Sequence, residues 1–250
     1  MMTEKVYLNQ SYKLLTIDAF IKSIRKTDDT KYGSHSIILD QTIFHPQGGG
    51  QPSDIGYILT GTGARFDVLM VISSEDQIEH YGNFVSQEDE INFTPENIVT
   101  LFVDEIKRIY HSRIHSAGHA LDAALKRIGL IDRLKATKGY HFLDGPYVEY
   151  DGDITSQEIG NLSDLLNIEM KNIIAEAIDS SVNYLDKITA SDICKCDVSR
   201  YPDSIRVVYV ADFPCPCGGT HVDNTSELGK VTISKIKFKK QKLRISYLIE

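Results

Sequence analysis

No run of apolar residues in this 250-residue chain approaches the roughly 20 needed for a helix to cross a bilayer, which excludes a helical membrane span and any membrane partner reached through one. The first eleven residues lack a basic segment followed by an apolar stretch, so no secretory leader is expected. Cysteine is sparse, with four residues in two Cys-x-Cys pairs, Cys194/Cys196 and Cys215/Cys217. That pattern is no disulfide framework, and the expected home is the cytoplasm, with thiols reduced or metal-bound. Positive charge is in deficit, 27 Lys and Arg against 35 Asp and Glu for a net of −8, which argues against indiscriminate affinity for nucleic acid. There is no internal repeat and no low-complexity tract. The glycine-rich stretch at residues 48–50 is not followed by Gly-Lys-Ser/Thr, which excludes a P-loop.

What is present centres on His115-Ser116-Ala117-Gly118-His119. Two histidines four apart on a helix project from the same face, one turn above each other. Downstream stands Cys217-Gly218-Gly219-Thr220-His221, a thiol and an imidazole joined by a turn-forming Gly-Gly. Two helical nitrogens with one sulfur and one nitrogen from a loop form a ligand set suited to one zinc ion. This is not the metalloprotease motif, because Ser116 occupies the position where a glutamate base is needed. His111 extends the helical row by a turn and reads as an ordinary core or surface residue.

Charge is unevenly distributed. Residues 1–90 hold 7 Lys/Arg against 13 Asp/Glu, and residues 91–250 hold 20 against 22. Within the second part, residues 230–244 carry seven basic side chains and no acid. Phosphate affinity follows such local patches more than global charge, so Lys235, Lys237, Lys239 and Arg244 are candidate contacts to a nucleic-acid phosphate backbone; a solvated, lysine-protected strand edge is the competing reading.

Residues 1–90 read as strands and turns, with β-rich runs at 36–39, 57–59 and 66–72, and predict a small β-barrel domain. Three consecutive glycines at 48–50 let the backbone turn sharply or approach a ligand closely, and Gln47, Gln51 and Asp54 beside them supply polar side chains that would suit a loop meeting a substrate; a mobile hairpin tip is the competing reading. A strand at 98–103 leads into a long helix capped by Asp104, with Tyr110, Ile114, Ala117, Leu121, Leu125 and Ile128 as its buried stripe and Gly129 ending it. A second helix begins with a capping box of Thr155 and Glu158 and runs to about residue 179, its buried face formed by Leu162, Leu165, Leu166, Ile173, Ile174 and Ala177. Residues 205–211 predict a buried strand that delivers the Cys217 loop, and residues 231–247 a strand pair with Lys235, Lys237 and Lys239 on one face. The second domain is thus expected over residues 91–250. Thr137, Lys138, Tyr140 and His141 either line a pocket or decorate a hairpin.

The His-Ser-Ala-Gly-His motif, Lys138-Gly-Tyr-His-Phe-x-Asp-Gly-Pro-Tyr-Val-Glu-Tyr150 and Cys217-Gly-Gly-Thr-His-Val-x-Asn-Thr225 together resemble the AlaX-type alanyl-tRNA editing proteins, which are similar to the editing domain of alanyl-tRNA synthetase. Phe44 to Gly56 resembles the glycine-rich motif of the longer AlaX forms. The resemblance spans about residues 40–250 and implies a translation-protein-like N-terminal β-barrel followed by an α+β editing domain common to threonyl- and alanyl-tRNA synthetases. It implies zinc held by His115, His119, Cys217 and His221, which would also be the catalytic centre. Gln47, Gly48, Gly49 and Gly50 fall in the loop thought to help shape the editing site. The implied reaction is hydrolysis of the ester joining a wrong amino acid, serine or glycine, to the alanine tRNA, with mischarged tRNA(Ala) as partner and no obligate protein partner. Thr137 is the candidate for reading the serine hydroxyl. His45 stands where tyrosine is expected in many relatives, and Cys215 adds a sulfur beside the ligand loop.

Four protein ligands make a closed site, whereas a hydrolytic zinc keeps a place for water. Either one ligand binds loosely, the metal expands to five-coordinate, or it orients substrate while another group activates water. Three other functions stay open: a zinc-dependent hydrolase of another ester or amide, a non-catalytic tRNA-binding module with structural zinc, and a zinc knuckle built from the four cysteines.

Overall fold

The computed structural model describes residues 2–27, 31–74 and 76–250. Contacts divide the chain into two compact units, one holding the chain through Gly48 with Pro52–Tyr110, the other Gly49–Gln51 with His111–Glu250.

In the first unit, β1 (Glu4–Lys5) precedes β2 (Thr16–Lys26), β3 (His35–Leu39) and β4 (Gln41–Thr42), which pairs in parallel with β1. Next come β5 (Gly56–Thr60), β6 (Arg65–Ser74), β7 (Gln77–Phe84), the short helix α1 (Gln87–Asn92) and β8 (Ile98–Val103). Strands β2-β3-β7-β6-β5-β8 close into an antiparallel barrel. The segment at 98–103, placed by the sequence reading after the boundary at residue 90, pairs with both β2 and β5 and so closes the barrel. Strand β6 carries a register shift between Val68 and Met70. That bulge resets the inward parity, so Phe66, Val68 and Val71 all reach the core.

Asp54, grouped from sequence with residues suited to meet a substrate, is fully buried. Its carboxylate accepts from the Arg108 guanidinium, which also donates to the carbonyls of Ile43 at 2.5 Å and Tyr12 at 3.3 Å. The His45 amide donates to the same carboxylate at 2.6 Å. A buried carboxylate requires this kind of compensation, and the side chain is committed to it.

Helix α2 (Glu105–Arg127) starts with Asp104 Oδ1 accepting from the Lys107 amide at 3.0 Å. It ends as expected at Gly129, φ +74°, where the Leu130 amide bonds the Leu125 carbonyl at 2.9 Å. The expectation of a single buried stripe is too narrow. Every residue from Ile114 to Leu125 is buried, including Ser116, His119 and Asp122. The small residues Ala117, Gly118, Ala120, Ala123 and Ala124 let neighbours close on several sides.

The second unit continues with β9 (Leu134–Tyr140), β10 (Tyr147–Gly152), α3 (Ser156–Glu176), β11 (Ser181–Asp186), α4 (Lys187–Cys194), β12 (Ser204–Val210), β13 (Phe213–Pro216), β14 (Val231–Lys239) and β15 (Lys242–Ile249). A four-stranded sheet runs β14-β15-β10-β9 and a three-stranded one β11-β12-β13, all pairs antiparallel. With the helices this is α+β content. The Thr155–Glu158 capping box is present. The buried face of α3 is Leu162, Leu166, Met170 and Ile173, whereas Leu165 and Ala177 are exposed. Spacings of four, four and three hold one face over three turns. Leu165 falls off it, and Ala177 is the left-handed cap.

Candidate metal centre

Four side chains predicted as ligands converge. His115 Nε2 or Nδ1, the corresponding atoms of His119 and His221, and Cys217 Sγ offer ligand atoms that all lie within 4.8 Å of one another. The histidine ring centroids are 4.6–5.0 Å apart, and Cys217 Sγ lies 3.4 Å from His115 Nε2. The histidines are buried and Cys217 is half-buried. A tetrahedral ion with bonds of about 2.0–2.3 Å holds its ligands about 3.3–3.8 Å apart, so this three-nitrogen, one-sulfur set needs only a small closure to hold a metal ion.

The protonation state of His119 suits that role. Burial, with Arg206 adding repulsion, lowers the His119 pKa to about 4, leaving neutral imidazole with a lone pair to donate. Burial raises the Cys217 thiol, against the opposing effects of the Gly219 amide, 3.4 Å from Sγ, and of Arg206.

Residues beyond the ligands orient them. Gln51 Oε1 sits 2.7 Å from His115 Nδ1 and accepts the Thr220 amide at 3.1 Å, while its Nε2 donates to Thr220 Oγ1 at 2.8 Å. Because an amide oxygen only accepts, His115 carries its proton on Nδ1 and turns Nε2 toward Cys217. Ser112 Oγ lies 2.7 Å from Thr220 Oγ1, and Ser116 Oγ accepts the Val222 amide at 3.0 Å. Strand β12 holds the ligand loop twice: the Arg206 carbonyl accepts the Cys217 amide at 3.1 Å, and its guanidinium donates to the Cys217 and Gly219 carbonyls at 2.6 and 3.2 Å.

Two glycines are required by close approach. A Cβ at Gly219 would overlap the His115 ring, and one at Gly118 would overlap the His141 ring. The glycines in the two signature motifs therefore mark places where an imidazole lies flat against backbone.

The remaining predicted residues divide. His141 is drawn in: its ring stacks on His115 at 4.7 Å, its Nδ1 lies 2.7 Å from the Tyr247 hydroxyl, and its amide donates to the Gly50 carbonyl at 2.8 Å. Burial, then the charge of His119, lowers its pKa to about 3. Thr137 is the extra residue where β9 shifts register against β10; it is exposed and donates to the Glu149 carbonyl at 3.2 Å. Lys138 is exposed, and the Tyr140 hydroxyl donates to Asp144 at 2.9 Å. Gln47, Gly48 and Gly49 are exposed, and the Gln47 amide bonds the Val71 carbonyl at 3.0 Å. Lys235, Lys237 and Lys239 are exposed on one face of β14, and Arg244 pairs with Glu149 at 3.0 Å. His111 is buried and Cys215 half-buried, and both lie outside the four-residue cluster.

Sequence reasoning missed Ser112, Thr220 and Arg206 as supports, and it assigned Gln51 to substrate. Thr220 lies inside the motif and Ser112 one helical turn before His115, which were usable signals; Arg206 in an apolar strand carried none. Asp122, one turn beyond His119, was also missed. It accepts the Tyr150 hydroxyl at 2.6 Å, and burial raises its pKa to about 7.

A family model described as the threonyl and alanyl tRNA synthetase second additional domain matches residues 205–245. Another, described as tRNA synthetases class II (A), matches residues 3–107. The chain is 32% identical to the alanyl-tRNA editing protein AlaX-L of Pyrococcus horikoshii, over 96% of this chain and 56% of that protein. It is 32% identical to alanine–tRNA ligase 1 of Lachnoclostridium phytofermentans, over 84% of this chain and 23% of the ligase. To the alanine–tRNA ligase of Christiangramia forsetii it is 27% identical, over 89% of this chain and 25% of the ligase. The chain thus spans about half the length of the AlaX-L protein and about a quarter of the ligases.

Proposed function

The chain belongs to the family that joins alanyl-tRNA editing proteins of the AlaX type to the matching region of alanine–tRNA ligases, and from that premise we propose that it is a cytoplasmic hydrolase removing serine, and glycine, from mischarged tRNA(Ala). The observation that carries the reading is the convergence of His115, His119, Cys217 and His221 on one centre. The ion proposed there is zinc, which suits a nitrogen-and-sulfur donor set.

The chemistry is ester hydrolysis: water adds to the carbonyl carbon, the bond to the terminal ribose oxygen breaks, and that oxygen leaves with a proton. Bound zinc would supply Lewis acidity toward a carbonyl or a water molecule. The chain's own residues set the environment. Gln51 and Thr220 hold His115 in one tautomer, Arg206 fixes the loop, and neutral His141 beside His115 can accept a proton at whichever ring nitrogen lacks one. For selectivity we assign Thr137: its hydroxyl donates to Glu149, which leaves lone pairs to accept from the hydroxyl of a seryl group. Alanine offers no such donor. Separate editing is needed because one methylene or hydroxyl gives an ordinary pocket only about 1–3 kcal/mol of discrimination. Lys235, Lys237, Lys239 and Arg244 offer phosphate contacts, with exposed Gln47, Gly48 and Gly49, half-buried Gly50 and Lys138 as further substrate contacts.

The test is deacylation of Ser-tRNA(Ala) beside Ala-tRNA(Ala), with and without a zinc chelator. Chelator-sensitive release of serine with alanine spared is expected. Release from neither substrate would overturn the reading and point to a tRNA-binding module or another ester. Cys217→Ala is expected to lose both metal and activity; full activity without metal would remove the metal from the mechanism.

A further inference from the structure

The outward face of the β14-β15-β10-β9 sheet carries an arrangement that the metal centre does not use. Tyr147 in β10 lies directly opposite Tyr140 in β9, and the two rings are nearly parallel, 5.4 Å apart at 21°. Phe142, two residues on from Tyr140, continues the column at 4.7 Å and 17°. At the other end the Arg244 guanidinium covers Tyr147 at 4.1 Å, and Lys138 Nζ lies 5.9 Å from the same ring. All three rings are partly exposed. Strand pairing extends this face sideways, since Lys237 is opposite Arg244 and Lys239 opposite Lys242. Among the described residues Lys235, Lys237 and Lys239 have no ion-pair partner, whereas Glu149 is held by Arg244 and Lys242, and Asp151 by Lys242.

A cross-strand aromatic pair by itself would only stabilise a sheet. Here three near-parallel rings, a stacked cation and a flank of unpaired lysines coincide, which is the chemistry that takes single-stranded nucleic acid: π-faces for bases and mobile ammonium groups for phosphates. The column also has a defined relation to the metal centre. His141 lies between Tyr140 and Phe142 in sequence, and its ring turns the other way, onto His115.

We propose that Phe142, Tyr140, Tyr147 and Arg244 form a stacking platform for the unpaired bases at the 3′ end of the tRNA acceptor arm, with Lys235, Lys237 and Lys239 tracking the phosphates behind them. This rests on the reading that the substrate is an aminoacyl ester of a tRNA, and it places Tyr140 in the platform that supports a base and not against the amino acid.

The probe is an RNA acceptor-stem hairpin with an unpaired 3′ overhang and 2-aminopurine at its last position, titrated against the full chain. Binding by the wild type should quench the fluorophore. Phe142→Leu and Tyr140→Leu, each checked for unchanged metal content, should lose the quench and bind about 5- to 150-fold more weakly, as expected for one lost base stack. Tyr140→Phe should retain both. A blunt hairpin without the overhang should bind wild type and leucine variants equally. Unchanged quench and affinity in both leucine variants, or an equal loss for the blunt hairpin, would overturn the platform. Its fate is separable from that of the editing reading. Quench without hydrolysis of Ser-tRNA(Ala) keeps the platform and sinks the enzyme. Hydrolysis with unchanged KM in the leucine variants does the reverse.

Discussion

Gln51 Oε1 accepts from His115 Nδ1 at 2.7 Å, although 64 residues separate the two in sequence. That contact fixes which imidazole nitrogen faces the metal centre, and the same oxygen accepts the Thr220 amide from the loop that carries the other ligands. One amide group therefore sets the relation between the helix ligands and the loop ligands.

Gln51→Leu keeps the volume and removes these hydrogen bonds. Metal affinity should fall about 10- to 100-fold, the usual effect of losing a partner behind a ligand. Competition with a chromophoric chelator measures it. Equal affinity in the variant would show that His115 is oriented by packing alone.

Gly118→Ala places a methyl where the His141 ring lies. The ring must move, and overpacking of this kind costs about 1–3 kcal/mol. Urea denaturation should show that loss, together with a perturbed His141 imidazole signal by NMR. An unperturbed His141 signal would refute the contact.

Arg108→Met leaves the Asp54 carboxylate buried without its ion-pair partner. Breaking such a pair costs about 3–5 kcal/mol, whereas the double variant Arg108→Met with Asp54→Leu should recover part of that loss. Denaturant midpoints of Arg108→Met, Asp54→Leu and the double variant decide it; additive losses would mean that the pair is uncoupled.

His80 tests the barrel unit by pH. Its ring lies 2.8 Å from Thr42 Oγ1 and 3.0 Å from the Ile37 carbonyl, and burial lowers its pKa from 6.5 to about 4. A histidine depressed in the folded state contributes its full stability above 6.5 and loses it as pH falls through about 4. The loss over that window is about 3 kcal/mol. The stability gap between wild type and His80→Gln should therefore shrink from pH 7.5 to pH 4, measured by urea denaturation. A gap independent of pH would contradict the neutral, buried ring.

Much of the local structure was legible because it rests on short-range rules. Asp104 as a cap, the Thr155–Glu158 box and Gly129 as a helix stop need only neighbouring residues, and all are present. The convergence of the four candidate ligands was legible because helical spacing puts His115 and His119 on one face and because Cys217 and His221 share a tight loop. Asp54 was misread, since a polar residue beside a glycine-rich loop looks free until Arg108, 54 positions away, claims it. The all-round burial of α2 was likewise invisible, because periodicity reports one apolar face and does not count neighbours that fit against alanine and glycine.

The sequence by itself determined which groups are candidates for the chemistry: three imidazoles and a thiol, a glycine-rich loop, and a basic strand pair in an otherwise acidic chain. The tertiary structure decided what each group touches. Gln51 reaches His115, His141 turns inward while Tyr140 and Phe142 turn outward to stack, and Arg206 ties down the ligand loop. Propensity and spacing act over a few residues, whereas a hydrogen bond or ring contact between distant positions exists only once strand register and burial bring them within a few ångströms.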